Sequence, residues 1–135
     1  MRIFDRTMGL LERTLDLRAA RNRVIAANIA NEETPGYRPK EFRFLEMLGS
    51  ALKGRAEGTV RVTHAMHIGL RGDAIGRVSG KTEDVATNEL GLDQNGVNLD
   101  LELAKLSDNA LQFNTAASII NLRFRQLLSA VKDAR

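Results

Sequence analysis

Cysteine is absent from the 135 residues. A disulfide framework, a thiol nucleophile and a cysteine-based zinc site are therefore excluded. Aromatics are scarce, five Phe and one Tyr without Trp, and the 20 Lys plus Arg against 17 Asp plus Glu include no long basic block. Both features weigh against nucleic acid as a partner. Long hydrophobic runs are missing as well. Arg2, Asp5, Arg6, Glu12, Arg13, Asp16, Arg18, Arg21 and Arg23 interrupt every stretch that could form the apolar region of a signal peptide. No run approaches the roughly 20 apolar residues of a membrane-spanning helix. The expectation is a chain without cleaved signal or membrane span. By default it is cytoplasmic, and it leaves that compartment only by a route that reads no such signal.

Catalytic chemistry is equally hard to find. There is no phosphate loop, nucleophile elbow or dinucleotide fingerprint. His64 and His67 are the two histidines. In a strand their odd separation puts them on opposite faces, and in a helical turn no fixed third ligand accompanies them. The Arg-Gly-Asp at 71–73 is ordinary turn chemistry in a glycine-rich stretch. No enzyme activity, cofactor or metal is expected.

What the sequence does have is helical periodicity at both ends. From Gly9 to Ala30, Leu11, Leu15, Asn22, Ile25 and Ile29 form one stripe, with Leu10, Leu17 and Val24 beside it and Arg18 interrupting. Asn28 and Asn31 lie three apart on the last turn, where Asn is tolerated at a helix end. Their expected role is capping, or amide hydrogen bonding to a neighbouring subunit. Thr34, Pro35, Gly36 and Tyr37 then read as a turn. Pro35 biases Thr34 toward an extended conformation, and Gly36 supplies the positive φ that the third position of a type II turn requires. Beyond it, "EFRFLEMLGSALKGR" reads as a short helix with Phe44, Leu48 and Leu52 on one side.

Residues 54 to 95 change character. Glycines punctuate short alternating pieces such as "TVRVTH" and "AIGRVSG", which read as short strands or loops, too polar to bury a large core. From Leu99 to Val131 the helical signal is the strongest in the chain. Leu103, Leu106, Ala110, Phe113, Ala117, Ile120, Phe124, Leu127 and Val131 step by three and four over about four heptads. Asn98 or Asp100 is the expected N-cap, and Arg123, Arg125 and Lys132 suit the negative end of the helix dipole. The two seams differ in length. Part of the longer one has no partner in a monomer, and bundling with copies or relatives is the natural solution.

The motif residues carry a resemblance. "LDLRAARNRVIAANIANEETPGYRPKEF", with Asn28, Ile29, Ala30 and Asn31 directly before the Thr34–Tyr37 turn, resembles the N-terminal motif of the flagellar rod, hook and hook-associated axial proteins. "GVNLDLELAKLSDNALQF" leading into the heptad helix is similar to that family too. Together they cover about half the chain, and the tight turn without a longer insertion before Tyr37 is most similar to the proximal rod subunits. Asn98 departs from the aspartate of the family's pattern, and the middle segment matches only loosely.

The resemblance implies a structural subunit of the basal-body rod, exported unfolded through the flagellar type III apparatus, without signal cleavage, into a periplasm-spanning drive shaft needed for motility. Its implied partners are copies of itself, other rod subunits, and the adaptor, membrane-ring and export-gate components at the rod base. The fold expected is mainly α: long N- and C-terminal helices forming a coiled-coil-like bundle, with a short extended, β-and-loop middle segment. The division expected is 1–31 and 97–135 as assembly helices around a middle segment, 32–96. A cytoplasmic coiled-coil adaptor or secretion chaperone is the alternative.

Overall fold

A computed structural model describes residues 6–53, 75–85 and 96–133. The elements are α1 (Arg6–Ala30), β1 (Lys40–Arg43), α2 (Leu45–Leu52), β2 (Lys81–Asp84) and α3 (Leu99–Asp133). The fold is mainly α, as the two periodic segments predict. α1 has 25 residues and α3 has 35, so at 1.5 Å per residue they are about 37 and about 52 Å long. They run antiparallel. Asn28 near the end of α1 bonds Glu102 near the start of α3, whereas Arg18, further back, is met by Asn109, further on.

Each end of this pair follows local chemistry. Asn98 is the N-cap of α3: its Oδ1 accepts the Leu101 N–H at 3.0 Å. Asp100 and Glu102 in the first turn and Lys132 in the last complement the helix dipole. At the end of α1, the Asn31 amide donates to the Ala27 carbonyl at 2.8 Å and its Oδ1 accepts from the Thr34 hydroxyl at 3.1 Å. The Tyr37 N–H then closes the turn on the Thr34 carbonyl at 3.2 Å. Gly36 sits at φ 74°, the left-handed conformation the turn requires.

The middle segment departs from expectation in two places. The helix expected from about residue 41 is confined to Leu45–Leu52, because Lys40–Arg43 is drawn into a strand. Ala51, not Leu52, joins Phe44 and Leu48 on the buried side, and Leu52 is 41% exposed. At about 100° per residue, position 51 returns to within about 20° of position 44 while 52 lies about 80° away. Residues 75–77 form a turn closed by the Val78 N–H on the Ile75 carbonyl, within the strands or loops expected of "AIGRVSG", and the strand starts only at Lys81. "TVRVTH", His64, His67 and Arg71–Asp73 lie outside the described residues.

β1 and β2 pair antiparallel with Lys40 opposite Asp84 and Arg43 opposite Lys81. This register sets Glu41 against Glu83. The like charges are offset by Lys81 at 2.9 Å from Glu83, and by Arg43 at 3.3 Å from Glu41 and 3.7 Å from Glu83.

The small core lies on one side of α1. Leu17 from α1 packs with Phe44, Leu48 and Ala51 and with Ile75 and Val78, so the glycine-rich stretch contributes buried residues despite its polar composition. Arg13 of α1 clamps it by donating Nε to the Val78 carbonyl at 2.7 Å, joined by Nη2 on the same oxygen. Gly80 matters through its missing side chain, since a Cβ there would run into the Phe42 ring. Phe42 in turn leans on Phe44, ring centroids 6.0 Å apart.

Candidate assembly surface and the helix junction

Polar groups tie α1 to α3 at two levels. Asn28 is 0% exposed, and its amide is fully used. Nδ2 donates to the Lys40 carbonyl at 2.8 Å and to Glu102 Oε2 at 3.0 Å, while Oδ1 accepts from the Lys40 N–H at 2.9 Å and the Tyr37 hydroxyl at 3.2 Å. One side chain thus acts as a strand edge for the start of β1 and as the tie to α3. This corrects the capping expectation for Asn28. Asn31 takes that role, and the burial of Asn28 leaves no amide for a neighbouring subunit. Glu102 carries the second contact of the junction, a 2.6 Å ion pair with Lys105.

One heptad along α3, Asn109 Nδ2 donates to the Arg18 carbonyl at 2.9 Å. The Arg18 guanidinium lies 5.6 Å from the Phe44 ring centroid, a cation–π contact that links the polar seam to the apolar core. Burial lowers the Arg18 pKa, and Arg21 adds to this while Asp108 opposes it. Arg18 Nη1 and Asn109 Oδ1 are buried without a hydrogen-bond partner among the described residues.

Glu102 and Asn109 are not among the assembly residues expected from the sequence, and Arg18 stands out there only as an interruption of the α1 stripe. The signal for them was present as polar interruptions in the helical pattern, with Glu102, Asn109 and Ala116 recurring every seven residues. All three are buried.

The apolar stripe of α3 lies beside that row instead of along it. Leu106, Phe113, Ala117, Ile120 and Leu127 are half-buried, whereas Leu103, Ala110, Phe124 and Val131 are exposed. Large apolar side chains are exposed along α3, Leu111 at 67% in its middle and Phe124 at 43%, Leu128 at 61% and Val131 at 66% toward its end. Of the N-terminal motif, Ile29 and Tyr37 are half-buried, and Ala30, Thr34, Pro35 and Gly36 face solvent. No group of three or more His, Asp or Glu among the described residues could hold a metal ion. No described helix is long and apolar enough to cross a membrane.

No protein-family model matches the chain. A flagellar basal body rod protein FlgB from Cereibacter sphaeroides is 31% identical over 129 residues, which are 96% of each chain. The chain belongs to the FlgB family of flagellar basal body rod proteins. Similarity extends to FlgB of Escherichia coli K12, 28% identical over 133 residues, and to FlgB of Salmonella typhimurium, 26% identical over 130 residues. Coverage is 96% and 95% of this chain, and 95% and 94% of those two FlgB chains. The match to FlgB therefore takes in the middle segment, where the sequence motifs alone were silent.

Proposed function

We propose that this protein is a structural subunit of the flagellar basal-body rod, and that it assembles with other rod subunits through the exposed edge of α3. The observation that carries the assembly reading is the apolar row Phe124, Leu128 and Val131. It is left in solvent by its own chain, within a protein similar to rod proteins from end to end. An apolar row of this kind on one helix favours lateral packing against another. The role is mechanical and not enzymatic. In this reading 1–31 and 97–135 are the assembly helices, and 32–96 is the outward module joined to them by the Thr34–Tyr37 turn.

The finer partners follow from the rod's position. They are copies of this chain, other rod subunits, and the adaptor, membrane-ring and export-gate components at the rod base. The site of action is the periplasmic part of the basal body, reached unfolded through the flagellar type III apparatus. A cytoplasmic coiled-coil adaptor would account for the two helices but not for end-to-end similarity to rod proteins.

The test uses Phe124→Asp. Phe124 is exposed in the isolated chain, so the variant keeps its helical circular dichroism, yet a carboxylate there is desolvated once a neighbour covers the edge. Phe124→Asp is expected to be exported and to be missing from purified basal bodies, while Gln126→Asp, some 200° around the helix, is incorporated. Incorporation of both at wild-type levels would remove the α3 edge from the assembly surface.

A further inference from the structure

α1 and α3 are held in one register although the apolar pattern does not demand it. Leu106, Phe113, Ile120 and Leu127 recur every seven residues, as do Leu103, Ala110, Ala117, Phe124 and Val131. A slide of seven residues superposes each set on itself. The length difference makes room for such a slide. Because Arg18 stands level with Asn109, Arg6, twelve residues earlier, stands level with about residue 121. The remainder of α3 projects past the described start of α1. If α3 slid so that Asn109 came opposite Asn28, residues up to about 128 would be drawn alongside α1. Phe124 and Leu127 would be among them. The apolar stripe, taken alone, therefore does not distinguish the two pairings.

The polar row opposes the slide. Glu102, Asn109 and Ala116 also recur every seven residues, but they are three different side chains. In the observed register Glu102 accepts from Asn28, and Asn109 donates to the Arg18 carbonyl. After the slide Ala116 faces Arg18 and has nothing to donate, while Asn109, now opposite Asn28, can accept from its amide only by giving up the Arg18 carbonyl. Glu102 moves about 10 Å beyond Asn28, seven residues at 1.5 Å each. A buried polar group whose partner exists in only one register separates alignments that apolar packing leaves equivalent.

We propose that the buried polar row of Asn28, Glu102 and Asn109 selects the register of the α1–α3 pair against a heptad-slipped pairing that the apolar repeat also accepts. The selection holds within a single chain and does not depend on the rod reading.

The natural absence of cysteine makes the test clean. Arg23→Cys and Gln126→Cys, both at exposed positions, carry nitroxide spin labels in the full-length chain at a concentration where it is monomeric. Pulsed electron–electron resonance then reads their separation. The observed register gives one population near about 30 Å, and a heptad slip shortens it by about 10 Å. Glu102→Leu combined with Asn109→Leu is expected to add the shorter population while keeping helical circular dichroism. Glu102→Gln, which retains an acceptor for the Asn28 amide, is expected to keep the single distance. Leu106→Ala is expected to lower the thermal midpoint without adding a distance. The proposal is overturned if the double leucine variant keeps only the original distance, or if it loses its helices, which would show that the row holds the pair together and does not choose its register. A shorter population in Leu106→Ala would overturn it too, by assigning the register to apolar packing.

Discussion

The two sides of α1 are built from different chemistry. Toward the middle segment α1 offers Leu17 to a dry cluster with Phe44, Leu48, Ala51, Ile75 and Val78. Toward α3 it offers Asn28 and the Arg18 carbonyl to Glu102 and Asn109. Apolar burial is strong and non-directional, whereas a buried amide–carboxylate contact is directional and tolerates one geometry. One side of α1 therefore anchors the middle segment, and the other aligns the long helix. Arg18 joins them, with its carbonyl on the aligned side and its guanidinium over Phe44.

Substitutions on the two sides should differ in size and kind. The largest effect is expected for Phe44→Ala, since Phe44 is 1% exposed at the centre of the cluster. Truncating a buried Phe costs about 3–5 kcal/mol. Urea denaturation should show this as a lower midpoint with an unchanged slope, and a loss below about 1 kcal/mol would move the stabilising centre elsewhere.

Asn28→Ala comes next. It removes four hydrogen bonds and orphans the Lys40 amide and carbonyl together with the Tyr37 hydroxyl, at about 2–3 kcal/mol. Its mark should be local as well as global. Amide exchange at Lys40 should rise in Asn28→Ala but not in Phe44→Ala once both are corrected for global stability. Equal exchange in the two variants would erase the distinction between the sides.

The smallest effect is a pH dependence at the strand pair. The Glu83 carboxyl is held below its ordinary value, first by the hydrogen bond from Lys81, then by the charges of Lys81 and Arg43. A carboxylate whose folded pKa is depressed stabilises above its unfolded pKa, and that contribution is lost as the pH falls through the folded value. Glu83 is solvent-exposed, so the effect is screened. The thermal midpoint should hold from neutral pH down to the ordinary glutamate range. Below it, the wild type should fall slightly more than Glu83→Gln. A larger fall in Glu83→Gln would contradict the pairing.

How much of this the sequence disclosed depended on whether a residue's role was periodic. The long helices were legible because apolar residues return every three or four positions, and Asn98 was legible as one of two cap candidates, with Asp100, because it directly precedes the pattern. The Thr34–Tyr37 turn was legible through Pro35 and Gly36. β2 was not, because Lys81, Thr82, Glu83 and Asp84 carry no apolar alternation and become a strand through pairing with Lys40–Arg43. The polar junction was hidden for a related reason. Asn28 sits in a helix-terminal position where capping is the commoner role, and only the fold brings Lys40 and Glu102 to it. Glu102 stands in the first turn of α3, where its carboxylate also faces the helix dipole.

These two sides account for α1 and for the covered part of α3, and what remains is the exposed row of α3 from Phe124 to Val131. Hydrogen exchange, read by mass spectrometry on the dilute isolated chain and on the same chain within purified basal bodies, tests its role most directly. Amides of residues 103–120, covered by α1, should be protected in both samples, whereas those of 122–133 should exchange rapidly in isolation and become protected in the basal body. Rapid exchange of 122–133 in both samples, or protection of that stretch already in a verified monomer, would contradict assembly through the end of α3.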